Sequence, residues 1–293
     1  MSGIERMRRP ERRTGPREGA GPVGEAVEMV GRRVRVRFAS GEERVVPVRA
    51  QVVVADRVRV EEGVVVEVLP RDSTLERTAS AGTHLACSNA TLLVAVSAAT
   101  DPPFRPGLVD RMLVAASAGG LDAALVLNKC DLGMPEEVLE RVAWYESLGY
   151  PAFLVSAAQQ KGLEPLRELL KAHTSVLVGH SGVGKTSLAR ALIPGLEGAI
   201  GELDAWGRGR HTTVGARLVA LPGGGRLIDV PGVREFGVGH IPRLELRRHF
   251  PELAELRCRY RDCLHDGEDG CVAQEHCEDE RLESYRKLLE ETV

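Results

Sequence analysis

The residues from Gly179 to Thr186 read Gly-His-Ser-Gly-Val-Gly-Lys-Thr and fit the spacing G-x-x-x-x-G-K-[ST]. Gly179, Gly182 and Gly184 lack a Cβ, which lets the backbone curl so that its amides, including those of His180, Ser181 and Val183, point at a phosphate. Lys185 is placed to reach β- and γ-phosphates and the Thr186 hydroxyl to ligate Mg²⁺, with Ser187 adjoining them. The implied ligand is a nucleoside triphosphate.

A second group of residues can choose the base. In Asn128-Lys129-Cys130-Asp131, the Asp131 carboxylate can accept from guanine N1–H and the N2 amine together. Adenine has an acceptor at N1 and no amine, so it would leave that carboxylate unpaired, a mismatch of several kcal/mol in kind. Asn128 can orient the base and the Lys129 stem can lie over it. Ser156-Ala157 can supply a backbone N–H to guanine O6. Asp229-Val230-Pro231-Gly232 places Asp229 to hold Mg²⁺ through water and the Gly232 N–H to meet a γ-phosphate. Between these motifs lies Gly209-Arg210-His211-Thr212-Thr213, where Thr212 or Thr213 can complete the Mg²⁺ shell and order the loop when γ-phosphate is present. Catalysis by a P-loop ATPase is the competing reading, and Asp131 argues against it.

Such residues need strands to aim them. Apolar runs at Thr91 to Val96, Ala123 to Leu127, Ala152 to Val155, Ser175 to Val178 and Leu227 to Val230 predict parallel strands buried on both faces. Four of the motifs stand at the C-terminal ends of such runs, the edge where open α/β sheets bind ligands. Lys185 to Leu192 predicts the helix after the phosphate loop. Upstream, Val34, Val36 and Phe38 alternate with arginines, and Val45-Val46, Val52 to Val54, Val58 to Val60 and Val64 to Val66 follow between turns. They predict a small β-barrel over 24–75. Residues 1–23 mix Arg, Glu, Gly and Pro without period and read as a flexible arm. The remaining divisions are an α/β domain over 76–240 and a Cys- and His-containing, then helical, domain over 241–293.

The 293 residues suffice for two or three domains. Net charge is −3, yet residues 1–60 hold 14 Arg against 8 acidic residues. A basic front attracts nucleic acid. No run reaches the roughly 18 apolar residues of a membrane span, and no apolar segment follows the Arg-rich start, so the expected location is the cytoplasm and no membrane partner is expected. Six cysteines in such a setting point away from disulfides and towards metal spacing. A monomer is the default.

The base-reading motifs precede the phosphate loop and Asp229 comes last, whereas in ordinary GTPases the phosphate loop and the two switch segments come first and the base-reading motifs follow. This arrangement resembles the circularly permuted ribosome-assembly GTPases of the RsgA/YjeQ type. The local matches are Gly-Arg-His-Thr-Thr at 209–213, Asp-Val-Pro-Gly-Val-Arg-Glu-Phe-Gly at 229–237 and Phe250-Pro251-Glu252-Leu253, with weaker ones at Pro103-Phe104, Asp110-Arg111 and Leu69-Pro70-Arg71. The resemblance implies an α/β P-loop GTPase domain permuted in order, an N-terminal OB-fold and a C-terminal zinc-binding domain. It implies GTP hydrolysis to GDP and phosphate, stimulated by the small ribosomal subunit during late maturation, with 16S rRNA as partner. Cys258, Cys263, His265 and Cys271 match the family's zinc pattern, and three thiolates with one imidazole suit a structural, tetrahedral Zn²⁺. Val233 stands where other GTPases place a water-orienting Gln. His240, eleven residues past Asp229, is where the family has a histidine proposed for catalysis. The barrel departs most: Arg49-Ala50 stands where the family often has Arg-Gly, and with Phe38 as the one aromatic of residues 24–69, phosphate contacts by its arginines are expected rather than base stacking. A zinc-stabilised RNA-binding protein that holds GTP with little turnover is the alternative to a ribosome-dependent enzyme.

Overall fold

A computed structural model of the chain describes residues 21–79, 82–195, 216–229 and 238–293. Thr212, Thr213, Gly232, Val233 and most of the Arg-rich arm lie outside the described residues.

Five strands open the chain: β1 (Val23–Val30), β2 (Arg33–Phe38), β3 (Glu43–Pro47), β4 (Arg57–Glu61) and β5 (Val64–Val68). Strand β1 pairs antiparallel with both β2 and β4, β2 with β3, and β4 with β5. A parallel bridge between Val48 and Val65 closes the ring. The order 1-2-3-5-4-1 is that of a five-stranded OB barrel. Alternate valines with Phe38 fill it: Val34, Val36, Val46, Val58, Val60 and Val65 are buried together with Ala26. The run Val52 to Val54 is not a strand. Its residues turn back on themselves, with the Val53 amide donating to Asp56 Oδ2 at 2.8 Å and Ala55 at φ +67°. Three apolar residues in a row have no period-two alternation, so burial of a loop explains them equally well.

Asp56 fixes the barrel's exit. Its fully buried carboxylate accepts from Arg71 Nε and Nη2 at 2.7 and 2.8 Å, and from Ser88 Oγ at 2.6 Å. Arg71 leads into a hairpin of β6 (Thr74–Ala79) and β7 (Gly82–Ser88).

The α/β unit follows with β8 (Leu92–Ala98), α1 (Pro106–Ala118), β9 (Asp122–Asn128), α2 (Glu136–Ser147), β10 (Ala152–Leu154), α3 (Leu163–Leu170), β11 (Thr174–Val178), α4 (Lys185–Leu192), β12 (Arg217–Ala220) and β13 (Arg226–Asp229). In space the order is β10-β9-β8-β11-β13-β12. All are parallel except β12, which runs antiparallel to β13. Every residue of β8 is buried, as a central parallel strand requires. Two cores cover the two faces, one containing Val109, Leu113 and Tyr145 from α1 and α2, the other Leu163, Leu166, Leu188 and Leu192 from α3 and α4. Strand β12 also pairs with β1, so the barrel continues the sheet among the described residues.

The C-terminal part holds short helices α5 (Arg243–Leu246), α6 (Pro251–Ala254) and α7 (Ala273–His276), then α8 (Asp279–Leu289). It packs on α1 through Phe250, Leu253, Leu282, Tyr285 and Val114. Arg281, 2% exposed, enters this contact with its guanidinium over the Phe250 ring at 4.3 Å. It pairs with Asp110 of α1 and with Glu252 Oε1 at 2.6 Å, while Tyr145 donates to the same Asp110 at 2.5 Å.

Candidate functional site

The phosphate loop connects β11 to α4, at the C-terminal edge of the central strands. Two glycines are required by contact. A Cβ on Gly179 would lie 2.1 Å from Val96 O of β8. Gly184, at φ +89°, would place one 2.3 Å from Asn128 Nδ2. Lys185 curls over the loop, and its ammonium donates to Gly179 O at 2.7 Å and His180 O at 2.9 Å. Thr186 is half-buried at the first turn of α4, and His180, Ser181, Gly182 and Ser187 are at the surface or partly covered.

Asn128 joins three loops. It ends β9, is 1% exposed, and its Nδ2 donates to Val183 O of the phosphate loop at 2.9 Å. Its Oδ1 accepts from the Ala157 amide at 3.0 Å. The residue expected to orient the base is thus a tie between the phosphate loop, the Asn-Lys-Cys-Asp segment and the Ser-Ala segment. Ser156, fully buried, donates its amide to Lys161 O at 3.0 Å and accepts from Gln159 N at 3.1 Å through Oγ. Both amides of the Ser-Ala pair are therefore engaged by the protein.

Lys129 adopts φ +63° and extends its ammonium to Asp101, at 2.7 Å from the backbone carbonyl and 3.3 Å from Oδ2. The turn Cys130–Leu132 then exposes Asp131 to solvent, three residues on from the Asn128 tie.

Asp229 ends β13, the strand paired with β11, so the carboxylate and Thr186 come from adjacent sheet positions. Burial pushes its pKa up, opposed by Arg217, whose Nε lies 3.5 Å from Oδ2. A carboxylate and a hydroxyl are hard oxygen donors of the kind Mg²⁺ takes.

His240 is not brought to this edge. Its Nδ1 faces Glu76 of β6 at 3.3 Å, and it lies close enough to His249 to contribute to that residue's lowered pKa, after burial as the main cause. His249 in turn bonds Ser117 at the C-terminal end of α1. The phosphate loop meets the opposite end, where Val183 and His180 line a small cavity with Pro102, Pro103, Arg105 and Leu108.

Cys258, Cys263, His265 and Cys271 converge, with their ligating atoms all within 4.8 Å of one another. The three Sγ atoms stand 3.4, 3.7 and 3.5 Å from His265 Nδ1. Tetrahedral Zn²⁺ with bonds of about 2.3 Å to sulfur and about 2.0 Å to nitrogen needs edges of about 3.5 Å, so the cluster fits that ion. Burial pushes the Cys263 thiol up to about 12, so a thiolate here calls for a cation. Glu268 braces the turn by accepting from the Leu264 and Asp266 amides at 2.6 and 2.8 Å. Glu268 and Arg281 carry no sequence signal, and although Asp110 and Glu252 lie in segments the sequence singled out, nothing there pairs them with Arg281. Each is one charged residue among many until the fold buries it.

A family model described as RsgA GTPase matches residues 68–239. The small ribosomal subunit biogenesis GTPase RsgA of Ectopseudomonas mendocina is 44% identical over 242 residues, which is 78% of this chain and 70% of that protein. The crystal structure of YjeQ from Thermotoga maritima superposes with a TM-score of 0.74 at 29% identity, covering 92% of this chain and 98% of that one. The crystal structure of YloQ, a circularly permuted GTPase, superposes at 0.68 with 24% identity over 92% and 94%, a likeness of fold. No helix among the described residues is long and apolar enough to cross a membrane. By the family model that matches it and by these identities over most of its length, the chain belongs to the RsgA GTPase family.

Proposed function

We propose that this GTPase acts on the small (30S) ribosomal subunit, hydrolysing GTP to GDP and phosphate during late subunit maturation in the cytoplasm. The observation that carries the reading is the Asn128 tie, which holds a base-reading loop and a phosphate loop at one sheet edge although they are 55 residues apart. In this reading Gly179 to Ser187 cradle the phosphates, with Lys185 leaving its loop carbonyls for the β- and γ-oxygens. Asp131 reads guanine N1–H and the N2 amine. The Ala157 amide, now on Asn128, turns to guanine O6 when the base enters.

Mg²⁺, when bound, would sit with Thr186, Asp229 and one of Thr212 and Thr213, and would neutralise charge developing on the transferred phosphoryl group. Gly232 would donate its amide to the γ-phosphate. Zn²⁺ held by Cys258, Cys263, His265 and Cys271 would supply the order that the short C-terminal helices lack on their own. His240, paired with Glu76, is a positioning candidate at the barrel-side hairpin rather than a group aimed at the hydrolytic water. Water placement then depends on order supplied by the bound subunit and its 16S rRNA, with the chain acting as a monomer.

The test is steady-state GTP hydrolysis by purified protein with and without purified small subunits. Stimulation of at least tenfold, lost in Lys185→Ala, is the expected result. Tight GTP binding without stimulation would instead favour a nucleotide-dependent binding protein.

A further inference from the structure

The seam between barrel and GTPase sheet carries a row of alternating charges. Asp229 of β13 stands directly opposite Arg217 of β12. Arg217 stands opposite Glu28 of β1, and Glu28 opposite Arg35 of β2. Side chains directly opposite in antiparallel strands share one face, with Cβ atoms about 5 Å apart. The sequence minus, plus, minus, plus therefore runs across four adjacent strands, from the nucleotide edge into the barrel. Arg35 Nε meets Glu28 Oε2 at 2.8 Å and Arg217 Nε lies 3.5 Å from Asp229 Oδ2. Backbone bonding holds the row in register, since the Met29 amide donates to Ala216 O at 2.9 Å. A second pair closes the same seam, with Arg226 Nη1 at 2.6 and 2.7 Å from the two carboxylate oxygens of Glu25.

We propose that Arg217 is a positioning residue that serves as the resting counter-charge of Asp229, competing with Mg²⁺ for it, and that Glu28 sets how strongly it competes. The inference rests on the reading of Asp229 as a Mg²⁺ carboxylate. The Asp229–Arg217 contact is long for an ion pair and both side chains are mostly covered, so the carboxylate is held in place yet can be taken by a divalent ion. Glu28 draws part of the guanidinium field away from Asp229. A polyanion that engages Arg35 on the barrel releases Glu28 towards Arg217 and so frees Asp229 for Mg²⁺. Binding at the barrel is thereby transmitted to the metal end of the nucleotide site through side chains already in register.

The test follows release of a fluorescent GDP analogue from the full chain as Mg²⁺ is varied, which reads metal engagement without relying on hydrolysis. In Arg217→Gln the Mg²⁺ midpoint is expected to fall about two- to fivefold, the range of a partly exposed ion pair. In Glu28→Gln it is expected to rise by a similar factor, and Arg217→Lys should stay close to the parent. Opposite shifts from two neighbours on one seam are not produced by general loosening of that seam. An unchanged or raised midpoint in Arg217→Gln, or a Glu28→Gln midpoint that stays or falls, overturns the proposal. Asp229→Asn separates the two layers of the argument. If it leaves the Mg²⁺ dependence intact, the reading of Asp229 fails and the proposal with it. If it flattens the dependence while Arg217→Gln matches the parent, the proposal alone fails.

Discussion

Asn128 shows what a single buried amide does for a site assembled from distant segments. Its side chain satisfies Val183 O and the Ala157 amide at once, both in buried residues. Asn128→Ala leaves two buried polar groups unpaired, each costing about 1–3 kcal/mol. We expect a loss of about 2 kcal/mol or more in stability to urea, together with a fall of at least tenfold in GTP affinity; a variant that loses stability but keeps parental affinity would show that the tie is structural only. Arg281 is a second case. Its guanidinium is the counter-charge for both Asp110 and Glu252 in a covered contact. Removing one partner of a buried pair costs about 3–5 kcal/mol. Arg281→Ala is expected to loosen α8 from α1 by that amount, read as faster amide exchange in both helices, and unchanged protection there would contradict the account.

At the scale of elements, the segment between α6 and α7 gathers Cys258, Cys263, His265 and Cys271 into one cluster that could hold a metal ion. The ligand spacing was legible in the sequence, because four side chains of the right type lie within fourteen residues. The strands β8, β9, β11 and β13 were legible too, as buried parallel strands are written in continuous apolar runs. The C-terminal docking was not. Arg281 lies in an ordinary amphipathic helix, and only the partners that arrive from α1 and α6 turn it into a buried ion. The Val52 to Val54 run misled because burial in a loop and burial in a strand leave the same residues behind. The Ser156-Ala157 pair was read as a source of backbone N–H, but its engagement with Lys161 and Asn128 was not readable, because backbone partners belong to the fold and have no residue type. If zinc organises the 258–271 segment, a strong chelator should abolish its amide protection while the sheet around β8 and β11 stays protected. Parental protection after verified metal removal would count against a structural metal.

For the whole molecule, the permuted order costs nothing in sheet architecture, since β11 still lies between β8 and β13 whichever loop is opened. It does place the barrel and the Cys–His segment at the two ends of the GTPase unit in chain order. The barrel's arginines are less available than their number suggests: Arg35, Arg37, Arg44, Arg57 and Arg59 pair with neighbouring carboxylates. Exposed Arg32 and Arg49 have no carboxylate partner among the described residues. Binding to subunits should weaken as salt rises, with a slope reflecting a few phosphate contacts rather than eight. Arg32→Glu with Arg49→Glu should weaken it most; a flat salt response would remove the barrel from the interface. The central claim is that the guanine-reading loop and the phosphate loop form one catalytic site answering to the small subunit. The most direct measurement is subunit-stimulated hydrolysis of GTP and XTP by the parent and by Asp131→Asn. The account predicts that the variant loses GTP and gains XTP, with stimulation by subunits retained on the new nucleotide. A variant that still prefers GTP, or that hydrolyses XTP without answering to subunits, would contradict it.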